Sequence, residues 1–386
     1  MSLRGKTAIV GLGMTAMGRN FNHSAPLGFA AEAIQRALAD AGLSRDDLDG
    51  LLYSPGVVAA DQINGAFSLQ QMMGIKNLRL TAMMVAGGAS AGAMVMHAAQ
   101  AIAAGMASTV ACVFADAPLS PPSAGGGRSS DNFGRAQGIN ATYGMFGAAS
   151  GYAMVARAHM HRFGTTHEQL GTVALAQRAW ANLNPDAQMH DRTLTMAEYH
   201  SSRWISEPLH LYDCCLVSNG GICVIVTSAE RARDLRKPPV YVLGMGQGHP
   251  GGDPVQTLSC GAPIAKRTAF AMAGVELKDF DVVQLYDCFT ITVIVTLEDY
   301  GFCAKGEGGP FVTGGRLGPE GTLPLNTGGG ELSAYYMWGM TPLSEGVIQV
   351  RGEGGKRQVP KHNLCLVSGN GGILSTHSTL VLGASV

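Results

Sequence analysis

The apolar positions in the first third of the chain alternate between short continuous runs and longer stretches with helical spacing. The short runs predict strands at residues 7–11, 51–53, 78–84 and 109–114. The longer stretches predict helices at residues 26–41 and 91–104. Strands that alternate with helices in this way are typical of a layered α/β fold.

The last third of the chain shows the same alternation. Strands are predicted at residues 240–243, 282–285, 364–367 and 379–382, and helices at residues 265–273 and 290–300. Two stretches of similar order suggest a fold that is duplicated within one chain. We therefore predict an N-terminal half at residues 1–236 and a C-terminal half at residues 237–386.

The middle of the chain, from about residue 118 to residue 220, interrupts the alternation. Residues 121–130 (PPSAGGGRSS) have the composition of a loop, residues 150–182 have helical periodicity, and residues 203–213 predict an irregular crossing segment. A strand is predicted again at residues 224–227. We expect this region to be a large loop insertion over the sheet, where a substrate pocket is usually found.

Composition and charge narrow the possible functions. Hydrophobic residues make up 46% of the 386 residues and charged residues only 14%, so the chain must bury an extensive core. The formal net charge is −1 and no basic run occurs, which argues against a nucleic-acid partner or an anionic membrane surface. The 53 glycines occur in clusters, which predicts sharp turns and close backbone approaches.

One uncharged stretch, between Arg79 and Asp116, is long enough to cross a bilayer. It is built mainly from small residues and is interrupted by His97 and Gln100. A helix that is uncharged on all sides also fits a protein interior. We therefore expect no membrane span.

The eight cysteines show no CxxC pair and no zinc-binding spacing, so we interpret them as buried, reduced thiols. The sequence thus predicts no metal site in this chain. The N-terminal sequence MSLRGKTAIVGLG passes directly from a charged start into a strand pattern and resembles no signal peptide. We expect a cytoplasmic protein.

Four Gly-rich or aromatic segments together carry a family resemblance. They are VAGGASAGAMVMH at 85–97, QLYDCFTITVIVTLEDYGF at 284–302, LPLNTGGGELSAYYMWG at 323–339 and LCLVSGNGG at 364–372. In this order and spacing the chain resembles the sterol-carrier-protein-X type of thiolase-like enzymes. The resemblance implies a thiolase fold with two similar βαβαβαββ halves in a five-layered α-β-α-β-α arrangement. It also implies a homodimer and acyl-CoA substrates.

The first of these segments departs from the family pattern at the nucleophile. In the thiolases that it resembles, a cysteine stands at the start of the buried helix, where the helix dipole favours a thiolate. Here the alignment places Gly88 at that position, with Ala89 beside it, and a glycine has no side chain to acylate. The backbone N–H groups of this turn could still bind an oxyanion. A purely structural turn is the alternative interpretation of Gly88.

The second and third segments place tyrosines where the family has histidines. Tyr286 opens the string Tyr-Asp-Cys-Phe, which matches the family's His-Asp-Cys-Phe, and we interpret Asp287 and Cys288 as structural. In the third segment Asn326 fits the family's asparagine and is grouped with the candidate oxyanion turns, and the histidine position falls on Tyr336. Tyr335 is the candidate if the alignment shifts by one residue.

The fourth segment lacks the family's second cysteine, which acts as acid and base. Val367 or Ser368 stands there, and Cys365 comes two residues too early. The turn around Gly371 is a second candidate for oxyanion donors. His377 could line the pocket beside this segment, although a structural role is the alternative for both His377 and Cys365.

The loss of both cysteines selects among the family's reactions. Thiolysis needs a nucleophile that holds an acyl group. Retro-aldol cleavage of a 3-hydroxyacyl-CoA needs only a base, an acid and an oxyanion site. The tyrosine pattern is similar to that of the aldolases that finish steroid side-chain degradation, which release a ketone and a short acyl-CoA. We predict such a carbon–carbon lyase, with Tyr286 and Tyr336 as acid and base.

The same resemblance sets the expected cofactors and partners. Coenzyme A enters as part of the substrate, and no tightly bound cofactor is expected. A small partner with a zinc ribbon and an OB fold is implied, which would make a heterotetramer. Two other functions stay open: a non-catalytic thiolase-like subunit, and an acetyl-CoA acyltransferase or thiolase of atypical mechanism.

Overall fold

The computed structural model describes residues 2–57, 64–121, 142, 144–145 and 147–386. Its first part alternates strands with helices, as the apolar pattern predicts. The strands are β1 (Thr7–Met14), β2 (Gly50–Pro55), β3 (Leu80–Met83) and β4 (Thr109–Asp116). The helices are α1 (Pro26–Ala41), α2 (Gly65–Met73) and α3 (Ser90–Ala103).

The inserted middle region is mostly helical where it is described. It contains α4 (Gly147–Phe163), α5 (His167–Ala181), α6 (Met196–Ser201) and the hairpin of β5 (Trp204–Ser206) and β6 (Leu209–His210). After the insertion the chain continues into β7 (Gly220–Ser228) and α7 (Ala229–Ala232). The segment 203–213, which we expected to be irregular, therefore includes a short hairpin. The loop predicted at residues 121–130 lies outside the described residues except for its first residue.

The last part returns to the alternation. It contains β8 (Val240–Gly248), α8 (Pro254–Thr257), α9 (Ala262–Ala273), β9 (Val282–Gln284), α10 (Thr290–Tyr300), α11 (Gly308–Phe311), α12 (Met340–Val350), β10 (Leu364–Gly371) and β11 (Thr376–Gly383). Short 3₁₀ turns lie at Arg45–Asp47, Leu211–Asp213, Leu277–Asp279 and Gly355–Arg357, and a π-helical turn lies at Gly330–Ala334.

The two parts have the same order of elements. The first reads β1-α1-β2-α2-β3-α3-β4 and ends on β7 after the insertion. The second reads β8-α9-β9-α10, then a single parallel bridge between Val283 and Leu325, then α12-β10-β11. One β-bridge thus stands where the first part has strand β3.

All of the long strands join one nine-stranded sheet in the order β3-β2-β4-β7-β1-β8-β11-β10-β9. Its two parts meet where β1 pairs with β8 at Ala8–Tyr241 and Ile9–Val240. Helix α1 packs on the outer face of the first part, and α9 packs on the outer face of the second. Helix α3 contacts strands of both parts, as does α12, so these two helices form the central layer. This confirms the predicted five-layered fold, whereas the boundary at residue 236 stays a prediction.

Alternate glycines explain why the outer helices pack so closely on the sheet. A Cβ atom on Gly11 or Gly13 of β1 would overlap the backbone carbonyl groups of α1. Gly244 and Gly246 of β8 stand in the same relation to α9. Because glycine has no side chain, helix and strand backbones can approach directly. Close backbone approach was predicted from the clustered glycines, and here it builds the outer layers.

The uncharged stretch between Arg79 and Asp116 becomes β3, α3 and β4, with most of its residues buried. Among the residues that the structure describes, no helix is long and apolar enough to cross a membrane.

A buried ion pair holds α12 against the 3₁₀ turn that follows it. Arg357 donates to both carboxylate oxygens of Glu345, at 3.1 to 3.2 Å, and both side chains are almost fully buried. Glu345 also accepts from the hydroxyl of Thr327, and Thr327 accepts from the amide of Gln284 in β9. The pair therefore supports the strand that leads to Tyr286.

We expect Arg357→Met to lower the free energy of unfolding by about 3–5 kcal/mol, because it leaves a carboxylate buried without its cation. Chemical denaturation monitored by circular dichroism measures this change. The control is Lys278→Met, which removes an exposed ion pair with Glu276 and should leave the unfolding transition in place. Equal stability of the Arg357 variant and the wild type would contradict the assignment.

Candidate active site

A cavity of about 420 Å³ lies where the two parts of the fold and the insertion meet. Its walls come from the α3 turn, the end of β9, the loop before α12, the end of β10, helix α4 and the segment before β7. Residues on these walls include Gly87, Gly88, Tyr152, Ile205, Cys215, Ser218, Tyr286, Cys288, Tyr336, Trp338 and Gly371. Of the predicted site residues, Gly88, Tyr286, Tyr336 and Gly371 line this cavity.

The turn before α3 is tightly closed. The hydroxyl of Ser90 accepts from the N–H of Ala86 at 2.7 Å, and the N–H of Ala89 donates to the carbonyl of Ala86 at 3.2 Å. Gly87 has φ +55°, a conformation that favours glycine. Ala89 is buried and its N–H is engaged within the turn. The turn therefore forms as expected, and the N–H of Ala89 is used in a hydrogen bond within the turn.

Gly88 lies directly against the ring of Tyr286. A Cβ atom built on Gly88 would overlap the Cε2 and Cζ atoms of Tyr286 and the backbone carbonyl of Asn370. The aromatic ring thus occupies the space that a side chain at position 88 would need. A nucleophile at position 88 and a tyrosine at position 286 are mutually exclusive in this arrangement.

The two predicted tyrosines meet in the cavity. The phenol oxygens of Tyr286 and Tyr336 lie 3.0 Å apart, although the residues are 50 positions apart in the chain. The backbone N–H of Tyr336 donates to the hydroxyl of Ser218 at 3.0 Å, which ties this loop to the insertion. Tyr335 points elsewhere: it is buried outside the cavity, with its phenol oxygen 3.4 Å from the hydroxyl of Ser344. Of the two adjacent tyrosines, Tyr336 is the one that reaches the site.

Both phenols keep their protons in the free protein. Burial raises the pKa of Tyr286 well above its usual range, and the neighbouring Tyr336 adds to the effect. Burial also raises the pKa of Tyr336, which its hydrogen bond with Tyr286 only partly offsets. A neutral phenol can accept a proton only if it passes its own proton on.

Asn326 supports Tyr286 from behind the cavity wall. Its side-chain oxygen accepts from the N–H of Leu285 at 2.7 Å, which fixes the backbone immediately before Tyr286. Asn326 is buried, has φ +53° and does not line the cavity. The structure therefore gives it a positioning role, whereas we had grouped it with the oxyanion turns.

Gly371 brings a second turn against the first. A Cβ atom on Gly371 would overlap the carbonyl of Ala86 and come within 3.0 Å of the Cα atom of Gly87. The end of β10 can therefore lie directly on the turn that carries Gly88. Both glycine turns thus border the same part of the cavity.

His377 and Cys365 do not line the cavity. His377 is fully buried on β11, where its Nε2 atom lies 2.9 Å from the phenol oxygen of Tyr300. Burial lowers the pKa of His377 to about 3, so it stays neutral. The thiol of Cys365 lies in the core beside Gly346 of α12. The structure supports the structural interpretation for both residues.

Three cysteines and a third tyrosine lie at the cavity without having been predicted there from the sequence. Cys214 and Cys215 arrive from the insertion, and Cys288, which we had interpreted as structural, also lies on the wall. Burial raises the pKa of all three thiols, that of Cys214 to about 12. They are therefore thiols and poor nucleophiles, because the thiolate is the reactive form. Tyr152 of α4 stacks on Phe289, with ring centroids 4.6 Å apart.

Comparison with known proteins places this fold and this site in one family. Residues 252–384 match the family model described as "Thiolase C-terminal domain-like". The chain is 36% identical over 398 aligned residues to the "Steroid side-chain-cleaving aldolase" of Thermomonospora curvata, with 99% of each chain covered. It is also 36% identical to the "17-hydroxy-3-oxo-4-pregnene-20-carboxyl-CoA lyase" of Mycobacterium tuberculosis, with 91% of this chain and 92% of the relative covered.

A solved structure supports the same assignment. The "Ltp2-ChsH2(DUF35) aldolase" superposes with a TM-score of 0.86 at 34% identity, and the match covers 99% of both chains. Fold and site together thus define a thiolase-fold protein that lacks the thiolase nucleophile. The chain belongs to the family of thiolase-like, steroid side-chain-cleaving aldolases, which are carbon–carbon lyases.

We expect Gly88→Ala to lower the free energy of unfolding by about 1–3 kcal/mol, because the new methyl group overlaps a packed ring and a backbone carbonyl. Adding Tyr286→Ala should recover part of this loss, which a double-mutant cycle of denaturation curves measures.

The matched control is Gly318→Ala, because the nearest atom to a Cβ there is 3.6 Å away. Gly318→Ala should leave the free energy of unfolding unchanged. Strictly additive effects of the changes at positions 88 and 286 would refute the proposed steric exclusion.

Proposed function

We propose that this protein catalyses retro-aldol cleavage of a 3-hydroxyacyl-CoA to a ketone and a shorter acyl-CoA, with Tyr286 and Tyr336 as the proton-transferring pair. The observation that carries the proposal is the 3.0 Å contact between their phenol oxygens beside the turn in which glycine stands at position 88. The family relationship supports this reaction class, since the relatives are named as an aldolase and a CoA lyase.

The proposed proton path needs no phenolate. The substrate hydroxyl gives its proton to one phenol oxygen, and that phenol passes its own proton across the hydrogen bond to the other. As the carbon–carbon bond breaks, its electron pair moves to the acyl-CoA fragment as an enolate, and the hydroxyl carbon becomes a ketone. In the same concerted transfer the second phenol gives its own proton to the enolate carbon, so neither phenol gains or loses a net proton. This path fits two phenols whose pKa values are both raised.

The enolate oxygen requires hydrogen-bond donors while the bond breaks. The glycine turns at Gly88 and Gly371 border the cavity next to Tyr286, so their backbones can approach a thioester closely. We assign the oxyanion site to these turns and not to Ala89, whose N–H is already engaged.

The rest of the wall suits an apolar substrate. Phe114 and Trp338 stack with their ring centroids 5.0 Å apart, and Ile205 and Ile373 also line the cavity. A fused-ring hydrocarbon can be buried against such a wall, because apolar area removed from water stabilises binding. We therefore propose a steroid-type acyl group for the substrate.

Tyr286→Phe and Tyr336→Phe should each lower kcat for cleavage of a 3-hydroxyacyl-CoA by about 10²–10⁴-fold, because each removes one link of the proton path. The released ketone and acyl-CoA are quantified by mass spectrometry. Tyr335→Phe is the matched control and should keep wild-type kcat. Full activity in both variants of the pair would reject their roles.

The two other functions predict different outcomes in the same assay. An acyltransferase would leave an acyl adduct on the enzyme, which intact-protein mass spectrometry would detect after incubation with an acyl-CoA. A non-catalytic subunit would turn over no acyl-CoA at all, even within its native complex. The proposed lyase gives turnover and no adduct.

We also propose that the chain forms a homodimer and binds a smaller zinc-ribbon and OB-fold partner. The solved relative is a complex whose name includes a DUF35 component, which supports the second contact. The first is supported by the edge of the sheet: β3 is the last strand, and near it Phe67, Met72 and Val85 are 53–69% exposed. Exposed apolar side chains at a sheet edge favour pairing with another chain.

Native mass spectrometry of the protein purified from its source cells should show two copies of this chain and two zinc-containing partners. The double variant Phe67→Glu, Val85→Glu should show one copy of this chain with one partner, because charges at the edge oppose pairing. Ile264→Glu, at an exposed apolar position of α9, is the control and should leave the assembly intact. A single chain without partners in the wild type would contradict the proposal.

A further inference from the structure

Glu331 is a fully buried acid that the proposed proton path does not use. It is the second residue of the π-helical turn Gly330–Ala334 and has no exposed surface. Among the residues that the structure describes, neither of its carboxyl oxygens has a hydrogen-bond partner. Burying an unpaired carboxylate is costly, so such a group in a native protein calls for an explanation.

The backbone of Glu331 is held from two sides of the site. Its N–H donates to the carboxyl group of Asp287 at 2.8 Å, and Asp287 follows Tyr286 directly in the chain. Its carbonyl accepts from the N–H of Leu216 at 2.9 Å, within the segment that lines the cavity. Gly330 has φ +59°, and a Cβ atom there would overlap the carboxyl of Asp287. The π-helical turn is therefore packed against the base of the tyrosine pair.

Its carboxyl group lies among the acids of the cavity wall. The charge of an ionised Glu331 would act on both phenols of the pair, Tyr286 and Tyr336, and on the thiols of Cys215 and Cys288. An ionised Glu331 would therefore make each of these groups harder to ionise.

The charged groups on the elements packed against this turn are otherwise engaged. Arg178 of α5 donates to the hydroxyl of Ser333 and to two backbone carbonyls. Glu345 of α12 is paired with Arg357. Neither supplies a partner to the carboxyl of Glu331, so no fixed charge compensates its ionisation within the described chain.

The surroundings of Asp287 and Glu331 raise the pKa values of both carboxyl groups. Burial raises the pKa of Asp287 to about 7, and the hydrogen bonds that its carboxyl accepts from backbone N–H groups limit the rise. Burial raises the pKa of Glu331 well above its usual range, and the negative charge of Asp287 raises it further. Two adjacent buried carboxyls lose their protons in separate steps, because the first charge disfavours the second.

We propose that Glu331 is a positioning residue for the tyrosine pair: its carboxyl keeps its proton beneath the two phenols and thereby holds the site free of negative charge during the reaction. The role rests on the proposed function of the pair. Once Glu331 is ionised, its charge would oppose the negative charge that develops on the enolate. Activity should therefore be highest while Glu331 is protonated and should fall when it loses its proton.

The resting protein tests the proton directly. Infrared difference spectroscopy of the native complex at neutral pH should show a protonated-carboxyl C=O band that is absent in Glu331→Gln. Glu298→Gln is the control, because this buried carboxyl is paired with His159 and Lys305 and should contribute no such band. No loss of a band in Glu331→Gln would overturn the proposal.

The pH profile tests the consequence. Wild-type kcat/KM should fall in two alkaline steps as Asp287 and Glu331 lose their protons, with about a tenfold fall per pH unit beyond each pKa. Glu331→Gln has no proton to lose at this position and should show only one of the two steps. Glu331→Asp should retain both steps, and Glu331→Leu serves if the amide variant fails to fold. Two steps that persist in Glu331→Gln would refute the role.

The two readouts separate this inference from the proposed reaction. If the protein cleaves no 3-hydroxyacyl-CoA but Glu331→Gln still loses the infrared band, the lyase proposal fails and the buried proton stands. If cleavage is observed but the band and the pH profile are unchanged in Glu331→Gln, Glu331 has no role in the site.

Discussion

The ring of Tyr286 fills the space in which a side chain at position 88 would otherwise stand. This steric exclusion links two departures from the thiolase pattern that look independent in the sequence: the glycine in place of the nucleophile and the tyrosine in place of a histidine. Because the ring lies on the glycine turn, its phenol reaches Tyr336 at 3.0 Å. The same contact that removes acyl transfer therefore assembles a pair of proton-carrying groups.

The second organising feature of the site is its low polarity. Burial raises the pKa of the phenols, of the cavity thiols and of Glu331, so the site favours neutral acids over ions. A proton path through two neutral phenols suits such an environment, because no isolated charge has to form. Cysteines on the wall do not restore thiolase chemistry, since their reactive form is the one that burial disfavours.

Local patterns predicted much of the fold. Helices α1 and α10 begin and end where the apolar spacing placed them, because each has a continuous buried face and ends at a glycine in the left-handed conformation. Strands β1, β8 and β10 were predicted too short, since they continue through glycines that carry no hydrophobic signal, whereas β3 was predicted too long. Helices α2 and α12 were missed. The motifs identified Tyr286, Tyr336, Gly88 and Gly371, and all four line one cavity in the structure. The motifs did not decide between Tyr335 and Tyr336, and only the position of the Tyr335 side chain outside the cavity did.

The sequence by itself determined the class of fold, the glycine at position 88 before α3 and the tyrosines at positions 286 and 336, because these depend on residue types at positions within local motifs. Only the tertiary structure decided that the ring of Tyr286 excludes a side chain at position 88 and that Cys215 and Cys288 line the cavity. It also decided that the carboxyl of Glu331 is buried with no hydrogen-bond partner among the residues that the structure describes. These properties depend on contacts between segments that are far apart in the chain, and on burial, which shifts proton affinities. Neither can be read from one segment alone.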